Sequence, residues 1–346
     1  MKKTLVALAA LVATTGAMAE ATISGLFQIG LNQATATTTG TSTNTTSMDD
    51  SNANTGVNFK INEDLGDGMQ FNAQIGVFTG INGVSGTVTG YETFGGLSGD
   101  FGSFRAGTFG SPQFIAIVKG DAGGGYLINN AVADVTQHQG GVIGSTTLFA
   151  TNQIQYTLPQ FVSGLTLQYT NKLGEQAGST AGTTDYYTAD YTSGPLNIGY
   201  VYSSYKPTTA LTDTVSNIYG SYNAGPAKLY FMSANAAVGG TSSVKATSVG
   251  VSVPVGAFTA MYNRSNTDGA IVNTSSGTAA QIRTVNAQDQ TGNFYGVSYG
   301  LSKRTTIFLA NYKTDGNNGA EDASTSATLN GTSSKSTTRL ILIHAF

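Results

Sequence analysis

Gly296-Val297-Ser298-Tyr299-Gly300 has the spacing of a nucleophile elbow, a strained turn that exposes a serine for acyl transfer. That chemistry needs a strand–turn–helix context and a histidine base, and the chain holds only His138 and His344. Ser298 sits instead within an alternating run, on the face opposite Tyr295, Val297, Tyr299 and Leu301. Two histidines with no cysteine make no zinc ligand set. Asp64-Leu65-Gly66-Asp67-Gly68 has calcium-loop residue types but lacks the twelve-residue ligand spacing and the closing glutamate. Gly123–Gly125 is not followed by the Gly-Lys-Ser/Thr of a phosphate loop. The sequence thus assigns no catalytic residue, no metal ligand and no cofactor, and predicts that the chain is not an enzyme.

What remains is a sparse set of charges, whose meaning depends on the elements that carry them. Charged residues are 10% of the 346, well under the usual quarter, while hydrophobic residues are 40%. With 45 Gly, 17 Tyr and 16 Phe, the composition favours strands and turns. The dominant period is two. Val57, Phe59 and Ile61 alternate with Asn58, Lys60 and Asn62; Leu165, Leu167 and Tyr169 alternate with Thr166, Gln168 and Thr170. About sixteen such segments follow one another, several near the ten residues a tilted strand needs to cross a bilayer.

The connections alternate too. Short ones such as Glu63–Gly68, Ser98–Gly102 and Leu301–Arg304 separate long Thr/Ser/Asn/Gly segments at 34–54, 80–90, 111–150, 173–184, 206–214, 237–243, 267–289 and 315–334. Beyond residue 20 no apolar run approaches a membrane helix. Lys2 and Lys3, an apolar stretch and Ala17-Met18-Ala19 read as an export signal cleaved after residue 19. Its loss takes the net charge from −3 to −5, which gives no nucleic-acid footprint.

Together these features predict an all-β fold: a 16-stranded antiparallel transmembrane β-barrel over residues 20–346, with short periplasmic turns and long extracellular loops. Small polar residues on one face of each strand suit a water-filled interior better than a dry core. The two ends of the chain must pair to close the barrel, which makes the C-terminal Phe346 structural. With Phe346 facing out, Leu340, Leu342 and His344 face out as well. Alternation then turns Lys60, Glu92, Arg105 and Arg339 inward, with Lys228 near the periplasmic end.

At this level the chain resembles a known family, the trimeric general porins of Gram-negative outer membranes, of the β-proteobacterial type. "EDLGDGMQFNAQIG" is similar to that family's first periplasmic turn and third strand, and "FGGLSGDFGSFRAGTFGSP" to its fourth and fifth strands. "NQIQYTLPQFVSGLTLQY", "IYGSYNAGPAKLYF", "GVSVPVGAF", "YGLSKRT" and the final "HAF" resemble later landmarks in the same order. The resemblance implies a homotrimer and a third loop, Ser111 to Ala150, folded inward to narrow the pore. It implies also that the terminal Phe346 is read by the barrel-insertion machinery. The constriction candidates become Lys60, Glu92, Arg105 and Arg339 on the wall, with Lys119, Asp121 and Asp134 on the loop, where His138 also lies. The basic ladder such relatives carry is thinned here, since Thr108, Phe109, Ile343 and Ala345 stand at its positions.

The sequence therefore predicts a passive outer-membrane channel for ions and small hydrophilic solutes, weakly charge-selective with a lean to cations. Its partners would be outer-membrane lipid and two further copies of itself. The rival is a non-conducting surface-structural or adhesive barrel. The run Thr305 to Tyr312, apolar on both faces, hints at an unusual packing environment.

Overall fold

The computed structural model describes residues 20–38, 41–49, 55–78, 89–123, 149–175, 177–238, 242–268, 270–273, 283–286, 290–317 and 332–346. The proposed signal segment, Asp134 and His138 lie outside them.

β1 (Glu20–Thr38) pairs along one edge with the last strand, β19 (Thr332–Ala345), from Leu26↔Ala345 to Thr38↔Ser333. Along its other edge it meets β2 (Thr41–Asp49) and β3 (Gly56–Gly66), so these two runs form one stave. The order continues through β4 (Met69–Phe78), β5 (Thr89–Gly99), β6 (Gly102–Gly110), β7 (Phe149–Thr157), β8 (Leu165–Lys172) and β9 (Thr184–Ser193). β10 (Leu196–Tyr205), β11 (Asp213–Asn223), β12 (Lys228–Val238), β13 (Ser242–Val255) and β14 (Phe258–Thr267) follow, each antiparallel to the one before. β15 (Ala270–Asn273) and β16 (Arg283–Asn286) pair only with each other. β17 (Gln290–Gly300) and β18 (Thr305–Asn317) complete the circuit to β19. Sixteen staves close into a barrel, which pairs the backbone groups that lipid could not satisfy.

The strand starts fall within a few residues of those expected, but three long loops are shorter than the sequence implied. Within 34–54, β1 continues to Thr38 and β2 already begins at Thr41. Thr35 Oγ1 donates to Asn44 Oδ1 at 2.7 Å and Thr37 Oγ1 meets Ser42 Oγ at 2.9 Å across this ribbon. Threonine is polar yet β-branched, so a Thr-rich stretch can be strand as readily as loop. Segment 267–289 holds the β15–β16 hairpin, and β18 extends to Asn317. Asp64-Leu65-Gly66-Asp67-Gly68 is a tight turn: Gly66, Asp67 and Gly68 have φ of +83°, +50° and +76°, and Asp64 Oδ1 accepts from the Gly66 amide at 2.9 Å.

Closure depends on the last residue. The Gly25 amide donates to Phe346 O at 2.9 Å and the Phe346 amide to Gly25 O at 3.0 Å. The phenyl ring lies over Gly25, where a Cβ would stand 2.3 Å from Phe346 Cζ. Leu340, Leu342 and Phe346 are exposed on the outer face, and His344 Nδ1 bonds Thr305 Oγ1 there at 2.9 Å.

The candidate pore lining

The inner wall divides into three sectors of different chemistry. Across β3 to β8 it is a hydrogen-bonded belt of amides and hydroxyls. Gln74 Nε2 donates to Asn58 Oδ1 at 3.1 Å and to Glu92 Oε2 at 3.2 Å. Glu92 Oε1 accepts from the Gly110 amide at 3.4 Å, at the foot of the third loop. Arg105 Nε donates to Gln155 Oε1 at 2.8 Å, and Gln155 Nε2 to Thr170 Oγ1 at 2.8 Å. The Arg105 guanidinium stacks on two rings, with Cζ 3.9 Å from the Phe109 centroid and 5.2 Å from that of Phe94. Lys60, in register with Gln74 and so on the same face, is exposed. A cavity of about 300 Å³ opens beside Arg105, lined by Asn72, Phe94, Gln155 and Gln168.

The second sector, β9 to β12, is covered. Ser111 caps α1 (Pro112–Gly120), its Oγ accepting from the Phe114 amide at 3.2 Å, and Pro112 opens the first turn. The helix packs against β10, β11 and β12, burying Ala116 and Ile117 on Tyr186, Val201, Tyr219 and Met232. At roughly 1.5–3 kcal/mol for each large apolar side chain, that contact decides where α1 lies. Polar contacts fix its register. Gln113 Nε2 donates to Ser203 Oγ at 3.0 Å, and Asn217 Nδ2 to Gln113 Oε1 at 2.9 Å. Lys119 Nζ stands 2.9 Å from Asp190 Oδ1, which also accepts from Tyr219 OH at 2.8 Å. Gly120 lets the helix end lie against β12, because a Cβ would stand 3.1 Å from Phe231 O. Beyond it, Asn263 Nδ2 on β14 donates to Asp121 Oδ1. β14 stands eight staves from β6 in the ring, so the segment leaves one wall and is fastened to the opposite one.

The third sector, β14 to β19, contradicts the expectation of a polar interior throughout. Phe294, Phe308, Ala310, Tyr312, Ile341 and Ile343 form one buried cluster on the inner face, with Leu26 and Met261 against it. The registers Phe294↔Tyr312, Phe308↔Ile341 and Ala310↔Arg339 set them on the Arg339 side, opposite the exposed Leu309, Leu340 and Leu342. Arg339 itself is only 5% exposed, with Cζ 5.4 Å from the Tyr312 centroid. The two-sided apolar pattern of Thr305 to Tyr312 thus marks an inner shelf, and Ile343 belongs to it where a charge was sought, while Ala345 is exposed.

Of the constriction candidates, the structure gathers Glu92 and Arg105 into the polar belt, with Lys60 on the same sheet face. Lys119 and Asp121 belong to the fastened helix end, and Arg339 to the apolar shelf. Asp190 was missed: it alternates with the outward Tyr187 and Tyr191 and is the counter-charge of Lys119. Gln113, Asn217, Ser203 and Asn263 were missed as well. Alternation marks the three strand residues as inward, but only the docked loop reveals their use.

The Gram-negative porin family model matches residues 7–320. No curated protein matches at the sequence level. Among solved structures, the anion-selective porin from Comamonas acidovorans superposes with a TM-score of 0.71 at 19% identity, covering 95% of this chain and 100% of that one. The trimer form of OmpT, an outer membrane protein of Vibrio cholerae, gives a TM-score of 0.64 at 13% identity, covering 95% and 99%. The outer membrane channel DcaP of Acinetobacter baumannii gives 0.64 at 11% identity, covering 96% and 99%.

Proposed function

The chain belongs to the Gram-negative porin family, and from that premise we propose that this outer-membrane diffusion channel passes ions and small hydrophilic solutes through an eccentric lumen. The observation that carries the reading is the fastening of residues 111–121 across the barrel by the Gln113–Asn217, Lys119–Asp190 and Asp121–Asn263 contacts. With β9 to β12 covered by α1 and β14 to β19 filled by apolar side chains, the passage runs along the polar belt of β3 to β8. Solutes there exchange water for amides, hydroxyls and the Arg105 and Lys60 cations, with no cofactor and no reaction.

Charge selectivity in this reading is weak. The named lumen groups comprise Lys60, Arg105, Lys119 and Arg339 against Glu92, Asp121 and Asp190, and two of these cancel as the Lys119–Asp190 pair. The Comamonas acidovorans relative is described as anion-selective, but near-balance of the wall charges here argues against a strong preference of either sign.

The active form is a homotrimer. OmpT has a described trimer form, and the outer face supports the same arrangement. Tyr156, Tyr187, Tyr222 and Tyr299 are among the exposed outward tyrosines of β7 to β17. From β18 through β19 and β1 to β6, no described side chain is an outward tyrosine; Ile23, Phe59, Ile75 and Leu97 stand exposed instead. Tyrosine belts belong where a surface meets both lipid and water, so the arc from β19 through β1 to β6, where aliphatic and phenyl side chains stand outward instead, is the subunit contact. Residues 1–19 direct export and are removed, and Phe346 is the mark read during insertion.

Planar-bilayer conductance of the refolded protein tests the reading. Stepwise openings with closure in three levels are expected, and a tenfold KCl gradient should give a reversal potential within about 15 mV of zero, against ~59 mV for ideal selectivity. A folded barrel that never conducts would favour the surface-structural alternative.

A further inference from the structure

The polar belt has an apolar threshold that simple diffusion does not use. Phe94 on β5 and Phe109 on β6 face inward with Arg105 and meet edge to face, their centroids 6.2 Å apart. Above them, where β6 ends, Phe149 meets Phe78 of β4 at 6.2 Å and Phe114 of α1 at 5.4 Å, again edge to face. Ile115 is the exposed residue of α1, and its Cδ1 lies 3.2 Å from where a Gly110 Cβ would stand. That sets it at the head of β6, beside the amide that donates to Glu92. From Gly110 down to Arg105 the strand runs about 17 Å. A solute entering from outside therefore passes rings and an aliphatic side chain before it meets the cation.

The helix turns its own charges away from this gap. Within 111–121 the ionisable side chains are Lys119 and Asp121, and both are held on the far walls, by Asp190 and Asn263. Water held between facing charges is costly for an apolar solute to displace. Beside rings and an aliphatic chain it is loosely held, and its release favours apolar contact. Below the threshold, Arg105 gives Nε to Gln155 and lays its guanidinium on the Phe94 and Phe109 rings. Its two terminal nitrogens remain for a carboxylate. The cavity of about 300 Å³ is bordered by Phe94 and Arg105 alike, so one solute can touch a ring and a guanidinium at once.

We propose that the channel favours solutes with an apolar flank and one carboxylate over polyhydroxylated solutes of the same charge and skeleton. The flank lies along Phe149, Ile115 and Phe94, and the carboxylate reaches Arg105. This preference rests on the diffusion reading and adds its substrate class. A heavily hydroxylated solute gives up more hydration at the threshold than rings and methyl groups return, and a small inorganic anion uses Arg105 alone.

The test compares cyclohexanecarboxylate with quinate, the same ring acid bearing four hydroxyls, as sodium salts in planar bilayers near neutral pH. Reversal potentials against sodium chloride give each anion's permeability, and protein-free bilayers set the background. Cyclohexanecarboxylate should exceed quinate by at least about fivefold. The double variant Ile115→Ser/Phe149→Ser should bring that ratio down to the ratio of the two mobilities in water. Ile115→Ser alone, at an exposed position that folding tolerates, should lower it by about twofold. Arg105→Gln should reduce both permeabilities together and leave their ratio. A wild-type ratio no greater than the mobility ratio would overturn the preference, as would an unchanged ratio in the serine variants. KCl conductance, recorded first, keeps the two readings apart: a conducting channel without the preference sinks this inference alone, whereas a wild-type barrel that never conducts sinks both.

Discussion

The wall of β3 to β8 and the wall of β14 to β19 follow the same alternation, yet one is an amide belt and the other an apolar shelf. In the first, Gln74, Glu92, Arg105 and Gln155 pass hydrogen bonds from stave to stave. In the second, Phe294, Phe308 and Ile341 exclude water, and Arg339, set beside them, lies against Tyr312. Period two decides which side chains turn inward, but it does not decide whether the inside is wet. A barrel can have both a solvent wall and a packed wall, and the passage is then displaced toward the solvent one.

The contrast is most sharply broken by placing a charge in each wall. Ile341→Asp should unfold the barrel, since an unpaired buried carboxylate on the shelf costs several kcal/mol; heat modifiability on SDS gels would be lost. Gln155→Glu, next to Arg105, should leave folding within about 1 kcal/mol and make the channel more cation-preferring, because its new charge has a cation within reach. Equal tolerance of both variants would remove the distinction between the walls.

Truncation is the next largest effect. Phe294→Ala should cost about 3–5 kcal/mol, read as a lower denaturant midpoint, and raise single-channel conductance as the shelf recedes. On the covered sector between the two walls, Asp190→Asn should weaken the hold on α1 by about 1–3 kcal/mol, leaving the barrel folded but increasing current noise. The smallest effect belongs to the belt. Arg105→Gln should leave stability nearly unchanged and move the reversal potential by roughly 10 mV toward cations. A movement toward anions would mean that Arg105 does not face the passage.

The short turns, the sixteen staves and the outward face of the last strand were legible in the residues. Each rests on local rules: turn chemistry at Gly66-Asp67-Gly68, period two along each strand, and the need of lipid-facing strands to leave no edge. The Thr-rich ribbon of β1 and β2 was not legible, because threonine serves loops and strands alike. Neither was Asp190 as a partner of Lys119, since 71 residues of chain separate them and only the docked helix joins them.

By itself the sequence determined the barrel, its orientation of side chains and the role of Phe346 in closing it, because strand periodicity and backbone satisfaction act stave by stave. The tertiary structure alone decided where the lumen is. That depends on which wall the inserted segment meets: Gln113 with Asn217 and Asp121 with Asn263. Contacts between distant staves and an inserted helix arise from closure and packing volume, which no window of a few residues contains.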